Sequence, residues 1–331
     1  MAHYEAEIDL GNPNSSHTQV LDLVGRSKAV LDVGCATGYL AQHLATRDCA
    51  VTGLEVDPDM AAQAREHIDH VVVADLNASS IADHFPAGSF DVIVFADVLE
   101  HVLEPARVLR EALPLLAPGG RVVISIPNVS HGSLRLALLQ GRWDYTDTGL
   151  LDRTHLWFYT RKSLLALVAE AGLAVEQLRA TVVDPLVAPV KIDVSALPRT
   201  VIEWVRRQPE ALHYQYILSG RVVEPGETPP APPALVPSVA HDQVRQRDIY
   251  TQELLDEESD LHHLLTSRDH VIGLEAQLAL ALEKEADARK ALKKAKERNT
   301  ALRRAYEGST TWRAGRFLTA PMRAVRRGRR P

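Results

Sequence analysis

Two cysteines, Cys35 and Cys49, are all the thiol the 331-residue chain has. A pair this sparse, in no metal-ligand spacing, excludes a disulfide-stapled scaffold and suits a reducing cytoplasm. No apolar run reaches the ~18 residues that span a bilayer. Met1-Ala2-His3-Tyr4-Glu5 has neither a basic n-region nor an apolar h-region, so no secretory signal is expected. No sign of charge dominates: the net charge is −6, which argues against nucleic-acid binding by the whole chain. The Gly-x-Gly-x-x-Gly fingerprint of a dinucleotide dehydrogenase is also absent.

What is present begins at Val30–Leu40, Val-Leu-Asp-Val-Gly-Cys-Ala-Thr-Gly-Tyr-Leu. An apolar run holding Asp32 leads into a turn bracketed by Gly34 and Gly38, and Tyr39–Ala45 reads as a helix. Strand, glycine turn and helix N-terminus together make a pocket for a nucleotide-like ligand. Around it, strands are expected at Ala29–Val33, Ala50–Leu54, His70–Val73, Phe90–Phe95, Gly120–Ile126 and His213–Val223. Helices are expected after Ser15-Ser16 and at Tyr39–Ala45, Pro58–Glu66, Pro105–Leu116 and Arg161–Ala171. Helices between apolar strands imply crossover units and a mostly parallel, buried sheet.

The composition changes at Glu224-Pro225. Six prolines between Pro225 and Ala240 indicate a semi-rigid linker, 225–240, after a domain at 1–224. Residues 241–307 carry a heptad seam: Leu264, Val271, Leu278, Glu285, Leu292 and Asn299, with Ser267, Leu274, Ala281, Ala288, Ala295 and Leu302 three residues on. A long helix forming a coiled coil is expected there, through which the chain self-associates or meets a partner. One solvated helix is the alternative. The tail, 308–331, interleaves seven arginines with Trp312, Phe317, Leu318, Met322 and Val325. That pattern suits an anionic membrane surface or a membrane-bound partner; a solvated tail and a nucleic-acid arm are the alternatives.

Acids mark the strand ends. Asp32 precedes the loop, Glu55 ends the second strand where ribose hydroxyls need acceptors, and Asp75-Leu76 follows the third, where an adenine amino group would. Acids at these places suit a cationic ligand better than a pyrophosphate. Together with Phe90–His101 and Pro118-Gly119-Gly120, these stretches resemble the ordered motifs of class I S-adenosylmethionine-dependent methyltransferases over residues 1–222. The nearest branch is the small-molecule one, with ubiquinone-biosynthesis-like enzymes and homologues in polysaccharide clusters. Ala36 departs from the glycine many members carry. The resemblance implies a Rossmann-like, doubly wound α/β fold with a mostly parallel seven-stranded sheet, and S-adenosylmethionine as cofactor. Its binding residues would be Asp32, Gly34, Cys35, Ala36, Thr37 and Gly38, then Glu55, Val56, Asp75, Leu76, Ala96 and Asp97.

A hydroxyl acceptor needs a base, since an alcohol is a poor nucleophile until its proton leaves. His101, at the end of the fourth strand, is the first candidate and His155 the second. Gly141–Tyr145 and Gly149–Thr160 resemble a block that relatives carry between the fifth strand and the next helix. Trp143, Tyr145, Arg153 and His155 are placed there as acceptor contacts, with Tyr4 from the N-terminal segment. No metal set is assigned. Ser309–Arg313 and Leu318–Arg323 are similar to a segment of bacterial surface-glycan enzymes. They imply O-methylation of a sugar hydroxyl in a polysaccharide or glycolipid, in the cytoplasm or peripherally at the inner face of the plasma membrane. A quinone or aromatic precursor is the alternative acceptor, and a non-catalytic scaffold recruiting a glycan-assembly complex the alternative function.

Overall fold

The computed structural model describes residues 9–311. The first compact unit runs to Tyr250 and the second starts at Thr251. In the first, α1 (Ser16–Val24), β1 (Ala29–Val33), α2 (Tyr39–Ala45), β2 (Ala50–Glu55), α3 (Pro58–Ala64), β3 (His70–Val73) and β4 (Phe90–Ala96) follow one another. Then come α4 (Pro105–Ala112), β5 (Leu116–Pro127), α5 (Gly132–Leu139), α6 (Arg161–Glu170), β6 (Leu173–Val182), α7 (Arg199–Arg206), β7 (His213–Val222) and β8 (Val236–Pro237).

The strands join one mixed sheet in the order β3-β2-β1-β4-β5-β7-β6-β8. β1 to β5 are parallel, whereas β7 runs antiparallel to both β5 and β6. The eighth strand corrects the expectation of seven. Val236 and Pro237, inside the Pro-rich stretch, pair with Arg179 and Ala180, and Ser238 N donates to Ala180 O at 2.8 Å. A proline is tolerated there because β8 lies at the sheet edge.

Both faces of the central strands are buried, so they read as continuous apolar runs. Val30, Val92 and Val94 pack against Val20, Leu21 and Val24 of α1 and Leu40 and Leu44 of α2. The alternate residues Leu31, Ile93 and Phe95 face Val108 and Leu109 of α4 and Leu164 and Val168 of α6. Strand order reverses between β1 and β4, which opens a crevice at their carboxyl ends, the place where open α/β sheets bind ligands.

A single helix, α8 (His241–Gly308), follows β8 and continues into the second unit. None of the described helices is long and apolar enough to cross a membrane. The tail from Trp312 onward lies outside the described residues, as does Tyr4.

Candidate functional site

A cavity of about 1000 Å³ occupies that crevice. Its first wall is the turn after β1. Gly34 takes φ +70°, and a Cβ there would sit 2.6 Å from Val98 Cγ2, so only glycine fits. Gly34 N and Cys35 N both donate to Leu54 O, at 2.7 and 3.1 Å, tying the turn to the end of β2. Ala36 holds φ +46°, and its N–H donates to Glu55 Oε2 at 2.9 Å. Glu55 Oε1 accepts from Val56 N and Asp57 N at 2.8 and 3.0 Å. The carboxylate is thus fixed in place, and its oxygens keep lone pairs for ligand hydroxyls.

Gly34, Ala36, Glu55, Val56, Asp75, Leu76, Ala96 and Asp97 line the cavity. Asp32 lies beneath the turn, 2% exposed; its Oδ2 is buried without a hydrogen-bond partner. Burial, with Glu55 nearby, pushes its carboxyl up from 3.8 to about 7. Cys35 turns away from the cavity: its Sγ fills the space beside Gly53, among Ala61, Ala64 and Ile68. Burial pushes the thiol up out of its reactive range. Thr37 and Gly38 are not in the wall either. Gly38 N donates to Cys35 O at 2.8 Å, and Gly38 caps α2 with φ +81°.

The opposite wall comes from three separate stretches. The turn after β4 contributes Asp97, Glu100 and His101. The segment before α6 contributes Asp152, Arg153, Thr154 and His155, and β7 contributes Tyr214 and Gln215. Leu156 N and Trp157 N donate to Glu100 O at 2.7 and 3.1 Å, and Trp157 Nε1 donates to Val102 O at 3.0 Å. These bonds hold the pre-α6 segment on the turn. His101 and His155 stack edge-on with ring centroids 4.8 Å apart.

His101 Nδ1 lies 3.3 Å from Thr154 O, which can only accept, so Nδ1 carries the proton. Thr154 Oγ1 donates to Asp152 Oδ1 at 2.6 Å and lies 3.0 Å from the same Nδ1. The other ring nitrogen, Nε2, therefore keeps its lone pair. Burial lowers the pKa of His101 and takes His155 to about 4, so both rings stay neutral at pH 7.

Glu100 is 1% exposed, and both its carboxyl oxygens are buried without hydrogen-bond partners. His155 Nε2 is 4.0 Å from Glu100 Oε1. Burial and the charge of Asp97 push the Glu100 carboxyl well up. Glu100, His101 and His155 place one donor atom each within 4.8 Å of one another, the single such set among the described residues. Sequence spacing could not reveal it, because His155 is far along the chain. An acid and two neutral imidazoles form a donor set that fits a divalent cation.

Asp97, at φ +56°, is held by Gln215: Gln215 Nε2 donates to Asp97 Oδ1 at 2.5 Å and to Ser125 Oγ at 2.8 Å. Burial takes the Asp97 carboxyl to about 7.

Two expected acceptor contacts lie elsewhere. Trp143 packs edge-on against Phe158, centroids 5.4 Å apart, in a small apolar cluster with Leu134, Leu150 and Leu151. Tyr145 is 54% exposed and not in the cavity wall. Arg153 lines the cavity and pairs with Asp147 at 2.7 Å. The residues that sequence reasoning missed, Thr154, Tyr214 and Gln215, carry no local signal. β7 enters the site only by pairing antiparallel with β5, a long-range event.

A family model described as a methyltransferase domain matches residues 15–178. The ubiquinone biosynthesis O-methyltransferase of Pseudomonas aeruginosa PAO1 is 34% identical over 166 residues, which cover 48% of this chain and 70% of that protein. The protein of the same name from Xanthomonas axonopodis pv. citri is 32% identical over 161 residues, 47% of this chain and 66% of its own. The chain thus spans about two thirds of that relative's length. Among solved structures, a Thermotoga maritima protein described as a SAM-dependent methyltransferase, possible histamine N-methyltransferase, superposes with a TM-score of 0.46 at 17% identity, covering 63% of this chain and 88% of that one.

Proposed function

The chain belongs to the S-adenosylmethionine-dependent methyltransferase family, and from that premise we propose that it O-methylates a hydroxyl of a small aromatic molecule, of the quinone-precursor kind. The carrying observation is one cavity that joins a cofactor cradle to a cluster able to remove a hydroxyl proton. The relatives named for ubiquinone biosynthesis favour this acceptor class. The sugar reading rests only on a short resemblance at the end of the chain, most of it outside the described residues.

The residues fit the cofactor. Gly34 presents its backbone at the cavity wall, and Glu55 offers fixed acceptors to ribose hydroxyls. The unpartnered Asp32 oxygen suits a cationic amino group near the turn. When bound, S-adenosylmethionine supplies an electrophilic methyl carbon on its sulfonium. The protein's own part is alignment, exclusion of water and proton removal. His101, fixed in one tautomer by Thr154, offers Nε2 to the acceptor hydroxyl. A second reading, favoured by the orphaned Glu100 carboxyl, has Glu100, His101 and His155 hold a divalent cation that lowers the acceptor's pKa.

The test is methyl transfer from labelled S-adenosylmethionine into two panels, ortho-dihydroxybenzenes and free or nucleotide-linked hexoses. Turnover of the first panel supports the proposal. Turnover of hexoses alone would move the function to sugar methylation. Absence of cofactor binding by calorimetry would leave only a scaffold.

A further inference from the structure

The long helix carries a charge asymmetry that methyl transfer does not use. α8 is 68 residues, about 100 Å at 1.5 Å per residue. From residue 271 onward, Val271, Leu274, Leu278, Leu292 and Leu302 are all more than half exposed, on the a and d positions of one heptad seam. Helices of this kind draw their stability from packing an apolar stripe against a partner.

Charge identifies the partner. Residues 253–269 contain six acids and one arginine, whereas residues 284–304 contain nine Lys or Arg and three acids. In the acidic half, Leu254, Leu261 and Leu264 repeat at intervals of seven and three. Glu253, Glu258 and Asp260 occupy the g and e positions beside them. In the basic half, the positions beside Leu292, Ala295 and Leu302 are Lys296, Arg298 and Arg303. The seam slips between the two halves, as heptad arrays do where short insertions interrupt them.

In a parallel pair in register, each g residue meets the e residue five positions on in its partner. Glu253 would meet Glu258, Lys284 would meet Arg289, and Arg298 would meet Arg303. Every one of these pairs is repulsive. Reversing one helix lays the acidic half of each chain on the basic half of the other. We infer that α8 pairs with α8 of a second copy of this chain, antiparallel, with the two-fold axis crossing between residues 269 and 284. Self-complementary charge of this kind rejects the parallel arrangement as well as favouring the antiparallel one.

The experiment uses the full chain. Light scattering is expected to give twice the 36.5 kDa chain mass. Glu258→Cys and Lys296→Cys, both at e positions and so on one flank of the antiparallel pair, are then oxidised separately and as a mixture, with the wild-type chain as background for Cys35 and Cys49. Disulfide-linked dimers are expected chiefly in the mixture. A monomeric mass, or efficient dimers in each variant alone, would overturn the inference. In a second arm, Lys296→Glu with Arg298→Glu is expected to weaken self-association by roughly tenfold or more. Adding Glu258→Arg and Asp260→Arg to the same chain restores the attraction. Failure to restore it counts against antiparallel pairing.

Discussion

His101 Nδ1 sits 3.3 Å from the carbonyl oxygen of Thr154 and 3.0 Å from its hydroxyl. The carbonyl fixes the tautomer, and the hydroxyl, donating to Asp152 at 2.6 Å, is left to accept. His101→Ala is expected to lower kcat by 10²- to 10⁴-fold, the usual range for a general base or an equivalent deprotonating device. Thr154→Val keeps shape but loses the hydroxyl, and a loss of roughly tenfold is expected while the carbonyl still orients the ring. Cofactor affinity by calorimetry should be unchanged in both. A kcat within twofold of wild type in His101→Ala would remove His101 from the chemistry.

The orphaned Glu100 carboxyl makes metal removal informative. Two buried oxygens without partners are costly unless a cation or a proton satisfies them. On the cation reading, chelation with EDTA lowers the methylation rate at least tenfold, with recovery on adding Mg²⁺ or Mn²⁺. Glu100→Gln is expected to abolish the recovery. A rate indifferent to EDTA would leave His101 acting as a base without a cation.

Asp32 predicts a proton linkage to cofactor binding. Its carboxyl is raised from 3.8 to about 7 by burial, with Glu55 adding to the shift. Between those values the folded chain keeps a proton that the unfolded chain has lost. This group's contribution to stability is therefore full near pH 4, falls as pH rises and is gone above about 7. A cationic amino group beside Asp32 favours the ionised form. Binding below about pH 7 should release a proton, and affinity should rise with pH up to that point. Calorimetry near pH 6.5 in buffers of different ionisation enthalpy measures the release. Asp32→Asn should eliminate it; an equal release in that variant would assign the proton elsewhere.

The parallel half of the fold was legible because both faces of its strands are buried. Val30–Val33 and Phe90–Phe95 therefore read as uninterrupted apolar runs, and the glycine turn and acid-tipped strand ends followed from backbone chemistry. β6 was not legible. Leu173–Val182 contains Glu176, Gln177 and Arg179 in a context that no short-range pattern marks as strand, and its pairing with β7 comes from tertiary contact. The cofactor wall lies near in sequence, on turns that carry their own glycines and acids. The acceptor wall is assembled from residues 97–101, 152–155 and 214–215, which only folding brings together. Trp143 is the reverse case: an aromatic residue in a suggestive block packs in a small apolar cluster rather than in the cavity wall.

Arg206 and Asp184 set a stability limit for the unit. Arg206 Nη2 lies 2.7 Å from Asp184 Oδ1, with side chains 5% and 0% exposed, and Glu203 Oε1 accepts from Arg206 Nη1 at 2.9 Å. Asp184 Oδ1 also accepts from Leu186 N at 2.9 Å, so the pair fastens α7 to the chain leaving β6. Breaking a buried pair strands a charge, at a cost of about 3–5 kcal/mol. Arg206→Met is therefore expected to lower unfolding free energy by about that amount, measured by urea titration with an unchanged slope. Asp184→Leu combined with Arg206→Met removes both charges and should recover a large part of the loss. A double variant as unstable as the sum of the two single variants would show that the hydrogen bonds to Glu203 and Leu186, rather than the ion pair, hold α7 in place.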